Sequence, residues 1–301
     1  MAAPFTLRPF APADLPGVLK LLRAATSFDG GIGALSPDEV AVLLDHPITG
    51  HGALWRVAVA QNQVVGFLDV RHIGTKRTEL RFAVNPAFRR QGIAAALLAD
   101  VPKGRRLLVS TRASVPAAST LLTKLGFTER FRDVRLRRET GRFEAMKAPS
   151  WASIEEDRTR DPRRFMGVLR ALGDDDLDDP ALPRALLARP GCRVFYVHTP
   201  QGDDGVAVIV ASTHAKKSEQ NKDGASVIGV LERADLTKAL RGKGVSRPLV
   251  RTALQALVDD GYAFLEATAP KQRQAAVDLY LKEGFEIVDE DIQWIRRDDG
   301  S

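Results

Sequence analysis

Two short turns, far apart in the chain, combine the residue types that bind phosphate. The first turn is Arg89-Arg90-Gln91-Gly92-Ile93-Ala94, and the second turn, 152 positions later, is Arg241-Gly242-Lys243-Gly244-Val245-Ser246. Glycine lets a ligand approach the backbone, and the helix predicted after each turn begins with unpaired N–H groups. The cationic side chains add attraction for an anion. Each turn is a candidate phosphate site, although neither has the ending of a Walker loop or the glycine spacing of a dinucleotide-binding fold.

A Gly-Phe pair follows each turn after a further predicted helix. The pairs are Gly126-Phe127 and Gly284-Phe285, which lie 158 positions apart. An offset of this size matches a domain, so we expect two copies of one fold. The predicted N-terminal domain spans residues 1–140, the linker 141–157 and the C-terminal domain 158–301.

The apolar pattern predicts a similar order of strands and helices in both halves. In the first half a hairpin leads to a central strand at 80–84, the first turn, a short helix, another strand and a last helix. The second half repeats this order, with its central strand at 227–231 and a few extra residues near 233–239. Its first strand is not recognisable, because residues 142–157 are polar and irregular.

The first turn and the residues before it resemble a known family signature. Val84 to Ala94 is similar to the acetyl-CoA signature of the GCN5-related N-acetyltransferases, the GNAT family, and the helix ending at Gly126-Phe127 is similar to that family's second motif. The second half resembles both elements. The resemblance implies an α/β fold (α+β mixed sheet) with two tandem GNAT acyl-CoA N-acyltransferase domains. Each would be a splayed mixed sheet flanked by helices, with pantetheine in the splay between the fourth and fifth strands.

The same resemblance implies acetyl-CoA as the cosubstrate, and we expect no metal. The implied contacts with acetyl-CoA are Val84, Arg89, Arg90, Gln91, Gly92, Ile93, Ala94, Val230, Leu231, Arg241, Gly242, Lys243, Gly244, Val245, Ser246 and Arg273. The five histidines have no spacing typical of metal ligands, which agrees with a metal-free reaction.

Acyl transfer from a thioester to an amine requires a neutral amine and a proton for the departing thiolate. The family commonly supplies this proton from a tyrosine five residues before the phenylalanine of the second motif, which is Tyr280 in the second half and Leu122 in the first. The resemblance therefore predicts chemistry in the C-terminal domain and an N-terminal domain that is catalytically weak. Glu232 is the candidate general base, with Glu266 as an alternative, and Glu79 has a comparable position in the first half.

Composition and charge limit the class of protein. The chain is 44% hydrophobic and 27% charged, has one cysteine, and contains no apolar run that predicts a membrane span or signal peptide. We expect a cytoplasmic protein. Residues 1–150 carry a net charge of +10 and residues 151–301 a net charge of −4. The cations are scattered, which disfavours nucleic acid as a partner.

The predicted function is an acetyl-CoA-dependent N-acetyltransferase that acts on an amine of a small molecule or peptide. Two alternatives remain open: a mycothiol-synthase-like tandem acetyltransferase, and a non-catalytic CoA-binding or partner-binding GNAT-like protein. The sequence specifies neither the acceptor nor the oligomeric state. Two interpretations are open for Asp29 and the acidic run 174–179. These residues either attract a cationic acceptor or are solvated loop residues.

Overall fold

The computed structural model describes residues 4–28, 55–73, 77–99, 101, 104–173, 184, 186–189, 191–211 and 228–297. The strands are β1 (Thr6–Pro9), β2 (Arg56–Ala60), β3 (Gln63–Ile73), β4 (Arg77–Val84), β5 (Arg106–Arg112), β6 (Thr128–Glu139), β7 (Ser153–Asp157), β8 (Arg193–Thr199), β9 (Gly202–Ala211), β10 (Ile228–Leu236), β11 (Phe264–Pro270) and β12 (Glu286–Arg297). The α-helices among these residues are α1 (Leu15–Phe28), α2 (Ile93–Ala99), α3 (Pro116–Lys124), α4 (Pro162–Ala171), α5 (Ser246–Asp259) and α6 (Gln274–Lys282).

The chain forms two compact units that exchange their last strands. The N-terminal unit comprises Met1–Arg132 together with Asp289–Ser301, and the C-terminal unit comprises Asp133–Val288. The division at 1–140, 141–157 and 158–301 thus follows the sequence repeat, whereas packing divides the chain differently. The interval 141–157 also contains β7, so it is more than a linker.

The N-terminal unit contains a mixed sheet in the order β1-β2-β3-β4-β5-β12. Its neighbours are antiparallel except β4 and β5, which run parallel. These two strands pair only from Arg77 to Leu80 against Arg106 to Val109. Beyond Leu80 they diverge, which gives the splayed sheet that the resemblance implied.

The C-terminal unit repeats this arrangement in the order β6-β11-β10-β9-β8-β7. Parallel pairing of β10 with β11 stops at Leu231 and Ala267, while β10 continues along β9 to Leu236. A register shift between Leu231 and Arg233 leaves Glu232 as one additional residue. The expected insertion of a few residues at 233–239 is therefore a single-residue bulge. The first strand of this half, β7, pairs with β8.

The exchanged strands β6 and β12 have the same pattern of burial, residue for residue, at an offset of 158. Ile292 and Trp294 of β12 pack in a core with Leu80 and Leu107. Val134 and Leu136 of β6 pack in the core of the C-terminal unit. Each unit thus buries apolar side chains that the other half of the sequence encodes, and this burial stabilises the exchange.

Matching arginines on the exchanged strands bind the last turns of matching helices. Arg296 donates a hydrogen bond to the carbonyl oxygen of Leu125 after α3 at 3.1 Å. Arg138 donates to the carbonyl oxygen of Glu283 after α6. Carbonyls at a helix C-terminus lack intrahelical partners, so an arginine there satisfies an acceptor and favours the helix dipole.

Candidate active site

The first turn has a backbone that only a few residue types adopt easily. A single 3-10 turn at Pro86–Phe88 precedes it, and the Asn85 side chain accepts a hydrogen bond from the Ala87 amide at 3.1 Å. Arg90 and Gly92 then take positive φ angles of 65° and 82°. Positive φ is uncommon for a residue such as arginine, and it reverses the chain so that α2 begins at Ile93.

The second turn has the same construction. A 3-10 turn at Lys238–Leu240 precedes it, and Gly242 and Gly244 have φ angles of 75° and 79°. In both turns an arginine donates from Nε to a strand carbonyl at 3.3 Å, from Arg89 to Val84 and from Arg241 to Leu236. Cβ atoms built at the turn glycines would meet nothing within 4 Å, so backbone conformation and not packing requires these glycines. The surface there is open to a ligand.

A cavity of 420 Å³ lies in the N-terminal unit, where β4 and β5 diverge. It is lined by residues 80–84 of β4, 109–112 of β5, 88–90 and 92–95 around the first turn, part of α3, and Ala25 of α1. The cavity therefore connects the first turn with the splay. Of the predicted first-turn contacts, only Gln91 is outside the lining, and its side-chain oxygen is buried without a hydrogen-bond partner among the described residues.

Tyr280 lies on α6 and is packed in the core of the C-terminal unit, with 4% of its surface exposed. Its ring meets that of Phe285 edge-on, with centroids 5.6 Å apart. Burial raises the pKa of the Tyr280 hydroxyl well above its usual value, and the charge of Asp235 raises it further. The hydroxyl is therefore protonated at neutral pH, as a proton donor must be.

Asp235, which the sequence analysis did not single out, lies at the diverging part of β10. Its carboxylate accepts a hydrogen bond from Arg233 Nε at 2.7 Å and lies 3.7 Å from Nη1 of Arg273. Arg273 is the residue before α6. The Arg-x-Asp alternation places Arg233 and Asp235 on one face of the strand, but only the divergence of β10 from β11 shows that this face borders the splay.

The candidate bases are all ion-paired. Glu232 is at the β10 bulge, 37% exposed, and lies 3.2 Å from Arg189. Glu266 is buried on β11, where Arg135 binds it at 2.9 Å and Arg137 binds it more closely. Glu79 lies 3.7 Å from Arg81 in the N-terminal unit. Glu232 is the most accessible of the three, whereas Glu266 is buried and ion-paired with two guanidinium groups.

The remaining predicted contacts lie on the strand and turns of the C-terminal unit. Val230 and Leu231 are in the last pairs that β10 forms with β11, and Leu231 is buried. Val245 precedes α5, which begins at Ser246. Asp29 and residues 174–179 lie outside the described residues.

Two further observations concern the metal-ligating side chains and the cysteine of the described residues. Those residues include no group of three or more His, Cys, Asp or Glu side chains arranged to hold a metal ion. Cys192 is buried, and burial raises the pKa of its thiol, so it is a poor nucleophile. No described helix is long and apolar enough to cross a membrane.

Two mixed sheets, each splayed between its central parallel strands and each with a glycine turn at the splay, define a tandem GNAT-type fold. An acetyltransferase (GNAT) domain model matches residues 51–129. A mycothiol acetyltransferase from Geodermatophilus obscurus is 25% identical over 315 residues, covering 95% of this chain and 95% of that protein. These two similarities support a tandem GNAT family protein and an N-acetyltransferase.

Solved structures share this tandem architecture. A tandem GNAT protein from the clavulanic acid biosynthesis pathway has a TM-score of 0.73 at 15% identity, covering 99% of this chain and 100% of that chain. A GCN5-related N-acetyltransferase from Sphaerobacter thermophilus has a TM-score of 0.70 at 16% identity, covering 97% of this chain and 95% of that chain. These matches support the predicted fold class.

Proposed function

We propose that the chain transfers the acetyl group of acetyl-CoA to an amine of a small molecule or peptide. The observation that carries this proposal is the 420 Å³ cavity, which runs from the first turn into the opening between β4 and β5. The open N–H groups at a turn with positive φ, beside Arg89 and Arg90, suit a pyrophosphate. An apolar splay suits the pantetheine arm. The second turn repeats this backbone, so it is a second candidate site for CoA.

Chemistry is proposed for the C-terminal unit, because only this unit has a tyrosine near its splay. The residues of the N-terminal unit include no tyrosine, and Leu122 occupies the position that corresponds to Tyr280. In the proposed step the neutral amine attacks the thioester carbonyl and forms a C–N bond as the C–S bond breaks. The thiolate takes the proton of Tyr280, and Glu232 receives the proton of the amine through water.

Tyr280→Phe tests the acid role directly. We expect kcat for acetyl transfer to fall at least about 100-fold, with the KM for acetyl-CoA within about twofold, because general acid catalysis contributes about 10²–10⁴-fold. Tyr262→Phe, in the same unit, is the matched control and should keep its activity. An unimpaired Tyr280→Phe enzyme would remove the acid role. Acetyl-CoA binding without turnover over a broad amine panel would instead favour a non-catalytic CoA-binding protein.

A mycothiol-forming acetyltransferase is the second candidate. It is supported by the 25% identity to a mycothiol acetyltransferase, which extends over 95% of both chains. Incubation with acetyl-CoA and the unacetylated precursor of mycothiol should then yield mycothiol with a higher kcat/KM than any simple amine. A lower kcat/KM than that for simple amines would reject this candidate and leave the broader proposal intact.

A further inference from the structure

Among the described residues that line the cavity of the N-terminal unit, every charged side chain is positive. Five cations line it, Arg81, Arg89, Arg90, Arg112 and Lys124, and no Asp or Glu of the described chain does. Arg89 and Arg90 belong to the first turn, where pyrophosphate is proposed to bind. Arg81 and Arg112 lie on β4 and β5 beyond their last paired residues, where the two strands diverge.

Arg112 is held at this end by the last strand of the chain. Its Nε lies 2.8 Å from the carboxylate of Asp291, and its Nη1 lies 3.7 Å from that of Asp289. Only 15% of the Arg112 side chain is exposed. Arg81 is 37% exposed and lies 3.7 Å from Glu79, too far for a hydrogen bond. One guanidinium is therefore fixed in place and the other is loosely paired.

The C-terminal unit has only one arginine of this pair at the corresponding positions. Leu80 pairs with Val109 as Leu231 pairs with Ala267, so the two splays begin at matching residues. Because Glu232 is the extra residue of the β10 bulge, Arg81 corresponds to Arg233, whose Nε binds Asp235 at 2.7 Å. Arg112 is three residues after Val109, whereas Pro270 is three residues after Ala267. The repeat therefore gives the splay of the N-terminal unit a cation, Arg112, where the other splay has a proline.

We propose that the inner end of the cavity in the N-terminal unit binds a carboxylate, with Arg81 and Arg112 as its ligands. Arginine matches a carboxylate with two N–H groups, and apolar walls strengthen such a pair. The carboxylate can come from a dicarboxylic acyl group on CoA or from an acceptor that carries an acid group. Asp289 and Asp291 act as positioning residues for Arg112. If the carboxylate belongs to the acyl group, the inference rests on the proposed binding of CoA at the first turn.

Calorimetry on the full chain tests the two sources separately. The first arm compares succinyl-CoA with acetyl-CoA, and the second compares leucine with leucinamide, both with saturating CoA and without it. We expect a preference for the carboxylate ligand in one arm. Arg112→Gln and Arg81→Gln should each weaken binding of that ligand about tenfold, as expected for loss of a charge-assisted hydrogen bond, and leave its uncharged counterpart within about twofold.

Arg106→Gln is the matched control, since Arg106 lies on β5 outside the cavity lining, and it should leave all affinities unchanged. Absence of a carboxylate preference in both arms, or a preference that survives in both arginine variants, would overturn the inference. Failure of acetyl-CoA itself to bind would count against the proposed function. The comparison of leucine with leucinamide in the absence of CoA would still test the carboxylate site. Near-identical thermal unfolding of the variants would exclude a folding defect.

Discussion

Trp294, near the end of the chain, donates its indole N–H to the hydroxyl of Thr111 at 2.8 Å, although 183 positions separate the two residues. Both residues belong to the N-terminal unit, and both are buried. The bond satisfies two polar groups in a core, where an unmade hydrogen bond is costly. The N-terminal unit is therefore complete only when the last strand of the chain is present.

Trp294→Ala should destabilise the N-terminal unit by about 3–5 kcal/mol, because it opens a large cavity and leaves Thr111 without this donor. Urea unfolding combined with amide exchange at residues 107–109 would measure the loss. Trp151→Ala is the control, since Trp151 is 41% exposed, and it should change the free energy of unfolding by no more than about 0.5 kcal/mol. Equal effects of the two substitutions would contradict the strand exchange.

Gly244→Ala should destabilise the C-terminal unit by about 1–2 kcal/mol, because its φ of 79° penalises any Cβ even where space is open. Gly167→Ala provides the opposite case in the same unit. Gly167 lies within α4, has open space for a Cβ, and should gain about 0.5–1 kcal/mol from the better helix propensity of alanine. Chemical denaturation would measure both, and destabilisation by Gly167→Ala would count against this account of the turn.

Asp203 should make the C-terminal unit less stable in acid. Arg164 binds its carboxylate at 2.6 and 2.9 Å and holds the pKa of Asp203 below its usual value. A lowered pKa contributes stability above about pH 4, and this contribution is lost as the pH falls through the folded-state pKa. Asp203→Asn should therefore cost about 1–2 kcal/mol at pH 7 and much less at pH 2, as urea unfolding would reveal. Asp259→Asn, at an exposed position of the same unit, is the control and should change the free energy of unfolding at pH 7 by no more than about 0.5 kcal/mol.

Asp235→Asn should lower the pKa of Tyr280. Burial is the larger cause of its raised pKa, but the negative charge of Asp235 contributes, and asparagine removes that charge. Tyrosinate absorbance during an alkaline titration, compared with that of Tyr280→Phe, isolates this residue from the other two tyrosines. Asp278→Asn, on the same helix as Tyr280, is the control. An unchanged titration in Asp235→Asn would show that the two groups do not interact.

Local features of this molecule were predictable from the sequence, and long-range features were not. The two turns and the Gly-Phe pairs were recognisable because glycine and phenylalanine at fixed spacing have local structural causes. The exchange of β6 and β12 was not, because Val134 and Ile292 occupy equivalent positions in strands with the same pattern of burial, so the sequence fits either partner.

The strand β7 and the position of Asp235 were also not predicted, because each depends on neighbouring elements of the fold. β7 is a short strand at the edge of its sheet. Glu155 can stay exposed there, and Glu156 is ion-paired with Arg193, so the pattern of a buried strand is absent. Asp235 is one of many acidic residues in the sequence. Only the structure shows that it lies beyond the last β10–β11 pair and near Arg273.

The stoichiometry of acetyl-CoA binding tests the account most directly. Calorimetry on the wild-type chain should give two sites, and Gly92→Val and Gly244→Val should each leave one, because a β-branched residue disfavours positive φ. Gly244→Val should also abolish acetyl transfer, whereas Gly92→Val should retain it. Turnover that depends on Gly92 and not on Gly244 would contradict chemistry in the C-terminal unit, and binding unaffected by either substitution would contradict the role of both turns.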